Sequence, residues 1–129
     1  MANVLLVDDQ QDMLDLVEFV FGEEKEHTLL TTTSPHEALS IVQRDKPSID
    51  LVVADQIMPE MLGSELLEKT YDWGKAQNPQ RTIKGVLSTG YTVEKELAYL
   101  RGRGMEVSYL KKPYVPTELL NAVQTLVRK

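Results

Sequence analysis

The chain has no cysteine, which excludes disulfides, thiolate metal sites and cysteine nucleophiles. No apolar run approaches the roughly 20 residues needed to span a bilayer. The opening residues, Met1 to Asp9, carry no basic segment and turn acidic too soon for a signal peptide. These absences predict a cytoplasmic chain with no membrane partner. Basic residues are the minority: 14 Lys and Arg against 20 Asp and Glu give a net charge of −6. That balance disfavours direct nucleic acid binding, which rests on neutralising phosphates with Lys and Arg. There is no internal repeat, low-complexity tract or linker, so residues 1–129 read as a single domain. Such a length buries roughly two thirds of the unfolded surface.

What is present is a series of short apolar runs that end in polar groups. Leu51 to Ala54 is a run of apolar residues with no polar side, which reads as a strand buried on both faces. It ends in Asp55, and Pro59 keeps its ladder from continuing. Val4 to Val7 is a second such run and ends in Asp8 and Asp9. From Asp12 to about Gly22, Met13, Leu14, Leu16, Val17, Val20 and Phe21 recur with helical spacing. His27 to Thr33 is rich in β-branched residues and predicts another strand. Ser34-Pro35-His36-Glu37 combines an N-cap, a proline at the first helical position and a capping-box glutamate. That helix continues through Ala38, Leu39, Ile41 and Val42, and Pro47 closes it.

A helix follows Gly63, carrying Leu66, Leu67 and Tyr71, and the polar stretch from Asp72 to Arg81 reads as a long helix end plus loop. Ile83 to Leu87 predicts a fourth strand, with Gly85 as its weak point. A helix from about Val93 to Arg101 is broken by Gly102 and Gly104. Val107 to Leu110 predicts a fifth strand, and a last helix from Pro116 turns Leu119, Val123 and Leu126 inward. Val115 stands where a capping residue is expected, so the first turn of that helix is expected to fray. Strand and helix alternate five times, the pattern of an α/β fold with a parallel sheet covered by helices on both faces. Right-handed crossovers leave few strand orders, and 2-1-3-4-5 is a common one.

In that order the first and third strands are neighbours, about 4.8 Å apart, and Asp8, Asp9 and Asp55 converge on one crevice at the sheet's carboxyl edge. Unit charges 4 Å apart repel by about 4 kcal/mol at an effective dielectric near 20. The cluster therefore either takes up protons or holds a cation. Oxygen ligands without His or Cys select a hard divalent ion, and Mg²⁺ suits a shallow site that keeps waters. Asp9 alone reads equally as a cap on the first helix, with Asp12 three residues on, but capping does not account for all three acids. The fourth strand ends in Leu87-Ser88-Thr89-Gly90, and the fifth in Tyr109-Leu110-Lys111-Lys112-Pro113, where the proline can hold a cis bond. An acid nucleophile, a metal, a hydroxyl and an ammonium are what a transferring phosphoryl group requires.

These residues resemble the receiver (CheY-like) domain of two-component response regulators, over essentially the whole chain. The resemblance rests on Asp8-Asp9, on Asp55 with Met58-Pro59 and Gly63, on Thr89-Gly90 and on Lys112-Pro113. It implies that Asp55 accepts a phosphoryl group from phosphohistidine on a histidine kinase or histidine phosphotransfer protein, forming an acyl phosphate. It implies Mg²⁺ bound directly by Asp9 and Asp55, through water by Asp8, and by the backbone carbonyl of Ile57. It implies that Lys112 pairs with the phosphoryl oxygens and Thr89 hydrogen-bonds one of them. Ser88 is the rival hydroxyl, and Thr89 is preferred because it directly precedes Gly90. Tyr109 matches the family's switch aromatic, which turns inward once the threonine moves. The face of the fourth helix, fifth strand and fifth helix then changes its affinity for a downstream effector or attached output domain, and a homodimer would form through that same face. The chain is expected to be either a stand-alone regulator or a receiver cut from a longer protein.

Ile57 and Tyr91 depart from the family's commonest pattern, and both are expected to flank the path of the hydrolytic water and slow dephosphorylation. The long stretch from Tyr71 to Arg81 is read as solvated loop, with partner specificity as the alternative. His27 and His36 are expected at the surface. The alternatives are an interaction module that works without phosphorylation, and a Mg²⁺-dependent phosphohydrolase. The first has no need of Lys112 or Asp9. The second resembles haloacid dehalogenases, which want an acid where this chain has Ile57. A nucleotide-binding enzyme would need a glycine-rich loop after the first strand, and none is there.

Overall fold

The structure is a computed structural model that describes residues 2–128. Ten elements follow in strict alternation: β1 (Asn3–Val7), α1 (Gln11–Glu24), β2 (Thr28–Thr32), α2 (Pro35–Arg44), β3 (Leu51–Asp55), α3 (Gly63–Gln77), β4 (Lys84–Thr89), α4 (Glu94–Gly102), β5 (Val107–Lys111) and α5 (Pro116–Val127). The five strands form one sheet in the order β2-β1-β3-β4-β5. Every adjacent pair is parallel. The expected architecture and strand order are the observed ones.

Strand side chains alternate between faces, and the core accordingly has two layers. Leu5, Val7, Val52, Ala54 and Leu87 meet α2, α3 and α4 through Ala38, Val42, Leu66, Leu67, Leu97 and Leu100. Val4, Leu6, Leu51, Val53 and Val86 meet α1 and α5 through Leu14, Val17, Phe21, Leu119, Val123 and Leu126. All five residues of β3 are buried, which places Asp55 at the mouth of the best-shielded strand.

Gly85 is a closely packed point of β4, since a Cβ there would lie 2.9 Å from Met105 Cε and 3.0 Å from Leu67 Cδ1, side-chain ends that would have to shift. The cap of α2 works differently from the simple box. Ser34 Oγ accepts the Glu37 N–H at 3.2 Å. Ser34's own N–H goes to Thr32 Oγ1, whose hydroxyl in turn donates to the Glu37 carboxylate. Thr32 is thus inserted as a relay between the cap and its glutamate. Gly102 stays helical, and the chain leaves α4 at Gly104, which adopts φ 103°.

Three expectations need correction. The first turn of α5 is formed although Val115 gives no side-chain cap: the Glu118 carboxylate reaches back to accept the Val115 N–H at 2.9 Å and Pro116 presets the first helical position. His27 is buried at 6% exposure, drawn in because its Nδ1 accepts the Ala2 N–H at 3.0 Å. The stretch from Tyr71 is not loop until after Gln77. Tyr71 is buried and donates its hydroxyl to the Arg103 carbonyl, whereas Asp72, Lys75, Ala76 and Gln77 are exposed on the end of the helix, so the reading of Asp72 to Arg81 as a helix end plus loop holds and the loop itself begins at Asn78. His36 lies at the surface as expected, 3.5 Å from Glu60.

Candidate functional site

The site is assembled from strand ends. Asp8 follows β1, Asp55 closes β3, Ser88 and Thr89 close β4, and Lys112 follows β5. Asp8, Asp55, Ser88 and Lys112 each lie two residues after Leu6, Val53, Val86 and Leu110, which all pack in the α1/α5 layer. By strand alternation these four side chains start from that same side of the sheet. Carboxylate oxygens of Asp8, Asp9 and Asp55 lie within 4.8 Å of one another. Lys112 Nζ stands 2.8 Å from Asp8 Oδ2 and 3.2 Å from Asp55 Oδ2. Every acid expected in the cluster is there, with the expected cation.

The acids are unequal. The Asp8 side chain is 1% exposed; its Oδ1 accepts the Gln10 N–H at 2.9 Å while its Oδ2 takes Lys112. Asp9 faces solvent, and the position before α1 is held by Gln10 without a side-chain cap. Asp9 is therefore free for another role. Burial raises the Asp55 pKa above the ordinary carboxylate value, against the pull of Lys112, with the Asp8 charge adding to the rise. Burial alone would lower Lys112, but its contacts with Asp8 and Asp55 more than offset that and raise its pKa. The ammonium thus stays charged where an isolated buried lysine would lose its proton.

Around this centre the backbone approaches closely. A Cβ on Gly63 would lie 2.3 Å from the Asp55 carbonyl oxygen, so only glycine lets α3 begin against the acid. Gln56, which the sequence reading passed over, holds that junction. Buried at 4% exposure, its side chain accepts the Ser64 N–H at 2.8 Å and donates to Ser64 Oγ at 3.1 Å. A polar residue directly after Asp55, eight positions before a serine in the first turn of a helix, was the available signal. Ile57 donates its N–H to Asp55 Oδ1 at 3.3 Å and exposes its side chain. Tyr91 is also exposed.

Ser88 stands opposite Asp55 in the β3–β4 register, and both Ser88 and Thr89 are buried. Thr89 Oγ1 accepts the Tyr91 N–H at 3.1 Å. Tyr109 lies partly outside and donates its hydroxyl to the Thr89 carbonyl at 3.0 Å, with the Tyr91 carbonyl at 3.4 Å. The hydroxyl, the loop after β4 and the aromatic are therefore one connected unit. The Lys112–Pro113 bond is cis.

Comparison with known proteins agrees with this geometry. The profile of the response regulator receiver domain matches residues 4–124. The chain belongs to that family.

This receiver is 34% identical over 130 aligned positions to the response regulator SaeR of Staphylococcus aureus, strain USA300, covering 100% of this chain and 52% of that protein. It thus spans about half the length of the curated relatives it matches. Among solved structures it resembles a CheY-like receiver domain protein from Methanospirillum hungatei JF-1, with TM-score 0.79 and 24% identity over 99% of this chain and 94% of that one. A receiver domain protein from Clostridium thermocellum gives TM-score 0.76 and 26% identity over 99% and 95%. Receiver domains are signalling modules of two-component systems and generally bind Mg²⁺ at an acidic pocket. The donor set fits that ion: carboxylate oxygens from three residues, with neither imidazole nor thiolate among them, suit a hard divalent cation. No helix among the described residues is long and apolar enough to cross a membrane.

Proposed function

We propose that this receiver is the phosphoacceptor of a two-component relay and that Asp55 carries the phosphoryl group. The observation that supports it most is the single ammonium of Lys112 shared by Asp8 and Asp55 beside the carboxylate of Asp9. An Asp55 oxygen attacks phosphorus, the phosphorus–nitrogen bond of a phosphohistidine breaks, and the freed imidazole takes up a proton. Lys112 turns from the carboxylates to the phosphoryl oxygens, and Thr89 donates its hydroxyl to one of them. Asp8, Asp9, Asp55 and the Ile57 carbonyl would hold Mg²⁺. When bound, the ion offsets the charge of the acids and of the transferring group.

The donor is a histidine kinase or a histidine phosphotransfer protein. Phosphorylation adds charge and acceptor oxygens at Asp55, which draws Thr89 inward. The Tyr91 N–H then loses its acceptor, the loop after β4 shifts, and Tyr109 follows into the vacated space. The face of α4, β5 and α5 changes its affinity for a downstream effector, an attached output domain or a second receiver. A coupling of roughly 1–3 kcal/mol is enough to move such an equilibrium.

The test is intact-mass measurement after incubation with Mg²⁺ and acetyl phosphate. One added phosphoryl group is expected in the wild type and none in Asp55→Asn. Sustained turnover of phosphate esters would instead favour the hydrolase reading.

A further inference from the structure

Two side-chain polar atoms among the described residues are shut off from solvent without a partner: His27 Nε2 and the Tyr114 hydroxyl. His27 sits where β2 begins, at the far edge of the sheet from the acids. Tyr114 is two residues past Lys112 and 5% exposed, packed in the α1/α5 layer with Leu6 and Val53. Those two residues precede Asp8 and Asp55 by two positions each, so both acids project toward the layer that holds the phenol. Burial first, then the charges of Asp8 and Asp55, raise the pKa of this tyrosine. The hydroxyl therefore feels both carboxylates and keeps its proton, as a hydrogen-bond donor must.

An idle phenol here is a poor choice. Phenylalanine has the same shape and leaves no donor unsatisfied, and an unsatisfied buried donor costs stability. The acid cluster supplies the use for it. A single ammonium serves both Asp8 and Asp55, and apart from it Asp8 has only the Gln10 N–H. Once Lys112 turns to a phosphoryl group, this carboxylate, its side chain 1% exposed, keeps only the Gln10 N–H as a donor from the described residues, whatever charge a bound Mg²⁺ would offset.

We propose that Tyr114 is a positioning residue of the phosphorylated state: its hydroxyl donates to Asp8 when the phosphoryl group draws Lys112 away. This rests on the phosphoacceptor reading of Asp55. The phenol holds Asp8 in place without competing for Lys112, and so leaves the full ammonium to the phosphoryl oxygens. It touches neither donor nor phosphorus.

The test compares wild type and Tyr114→Phe by thermal unfolding in two states: in chelator without phosphate, and with Mg²⁺ and acetyl phosphate after intact mass has established occupancy. In chelator Tyr114→Phe is expected to match or exceed the wild type. On phosphorylation its gain in Tm is expected to fall short of the wild-type gain by roughly 3 °C. As a second measurement, wild-type protein carrying 3-fluorotyrosine is expected to shift its Tyr114 fluorine resonance on phosphorylation, and this does not depend on how the variant folds. Equal gains in Tm, an unmoved resonance, or a variant less stable in chelator would overturn the role of Tyr114 while leaving Asp55 as acceptor. A wild type that takes up no phosphoryl group would overturn both.

Discussion

Lys112 Nζ stands 3.2 Å from Asp55 Oδ2 across 57 residues of sequence, and its closer contact, at 2.8 Å, is with Asp8. The cation thus sits closer to the buried neighbour than to the proposed acceptor. In the resting protein Lys112 offsets the charge of both acids, and on the proposed reading both contacts have to be remade when a phosphoryl group arrives.

Removing that cation exposes the cost of the cluster. Lys112→Met leaves the buried Asp8 carboxylate without its ion pair, and breaking a buried pair costs about 3–5 kcal/mol. Asp8→Asn in the same background is expected to recover much of the loss. Urea unfolding in chelator measures both.

Asp55, the proposed acceptor, burdens the metal-free fold. Its raised pKa means that Asp55 favours folding below the ordinary carboxylate value of 3.8, and that this contribution is lost as pH rises through the folded value. Above that window the ionised, buried carboxylate opposes folding. Asp55→Asn is therefore expected to be more stable than the wild type at pH 7 in chelator, by roughly 2–5 °C in Tm. The difference should shrink toward pH 4. Differential scanning calorimetry across that range checks it.

Gly63→Ala is expected to damage the site through the backbone. Its Cβ would sit 2.3 Å from the Asp55 carbonyl oxygen, and neither backbone can retreat without moving the acid. A loss of about 2–3 kcal/mol is expected, with slower phosphoryl uptake from acetyl phosphate in whatever fraction folds. Gly90→Ala is the control: its Cβ meets nothing nearer than the Lys112 carbonyl at 3.7 Å, so stability should hold.

Ile57 and Tyr91 leave their side chains exposed beside the acceptor and the Thr89 loop. If Asp55 carries the phosphoryl group as proposed, bulky apolar side chains at these two positions would hinder the water that hydrolyses it. The phosphoryl group is expected to persist for minutes or longer in the isolated receiver, and Ile57→Asn to shorten that several-fold. A time course of intact mass after donor removal measures both.

Much of this was legible in the order of residues because it is local. A run such as Leu51 to Ala54 has no polar side, so it can only be a doubly covered strand, and its terminal carboxylate must fall at the sheet's edge. Parallel strands with right-handed crossovers then bring those ends together. The convergence of Asp8, Asp55 and Lys112 follows from these two rules. Other features depend on distances between segments remote in the chain, which no local pattern encodes. Gly63 is required because α3 starts against the Asp55 carbonyl, His27 is buried where its Nδ1 meets the Ala2 N–H, and the Tyr114 hydroxyl is buried without a partner among the described residues. Hydrophobic periodicity chooses the elements and their order, while the pairing of individual polar atoms is decided only when packing fixes positions to within an ångström, since hydrogen bonds fail beyond that tolerance.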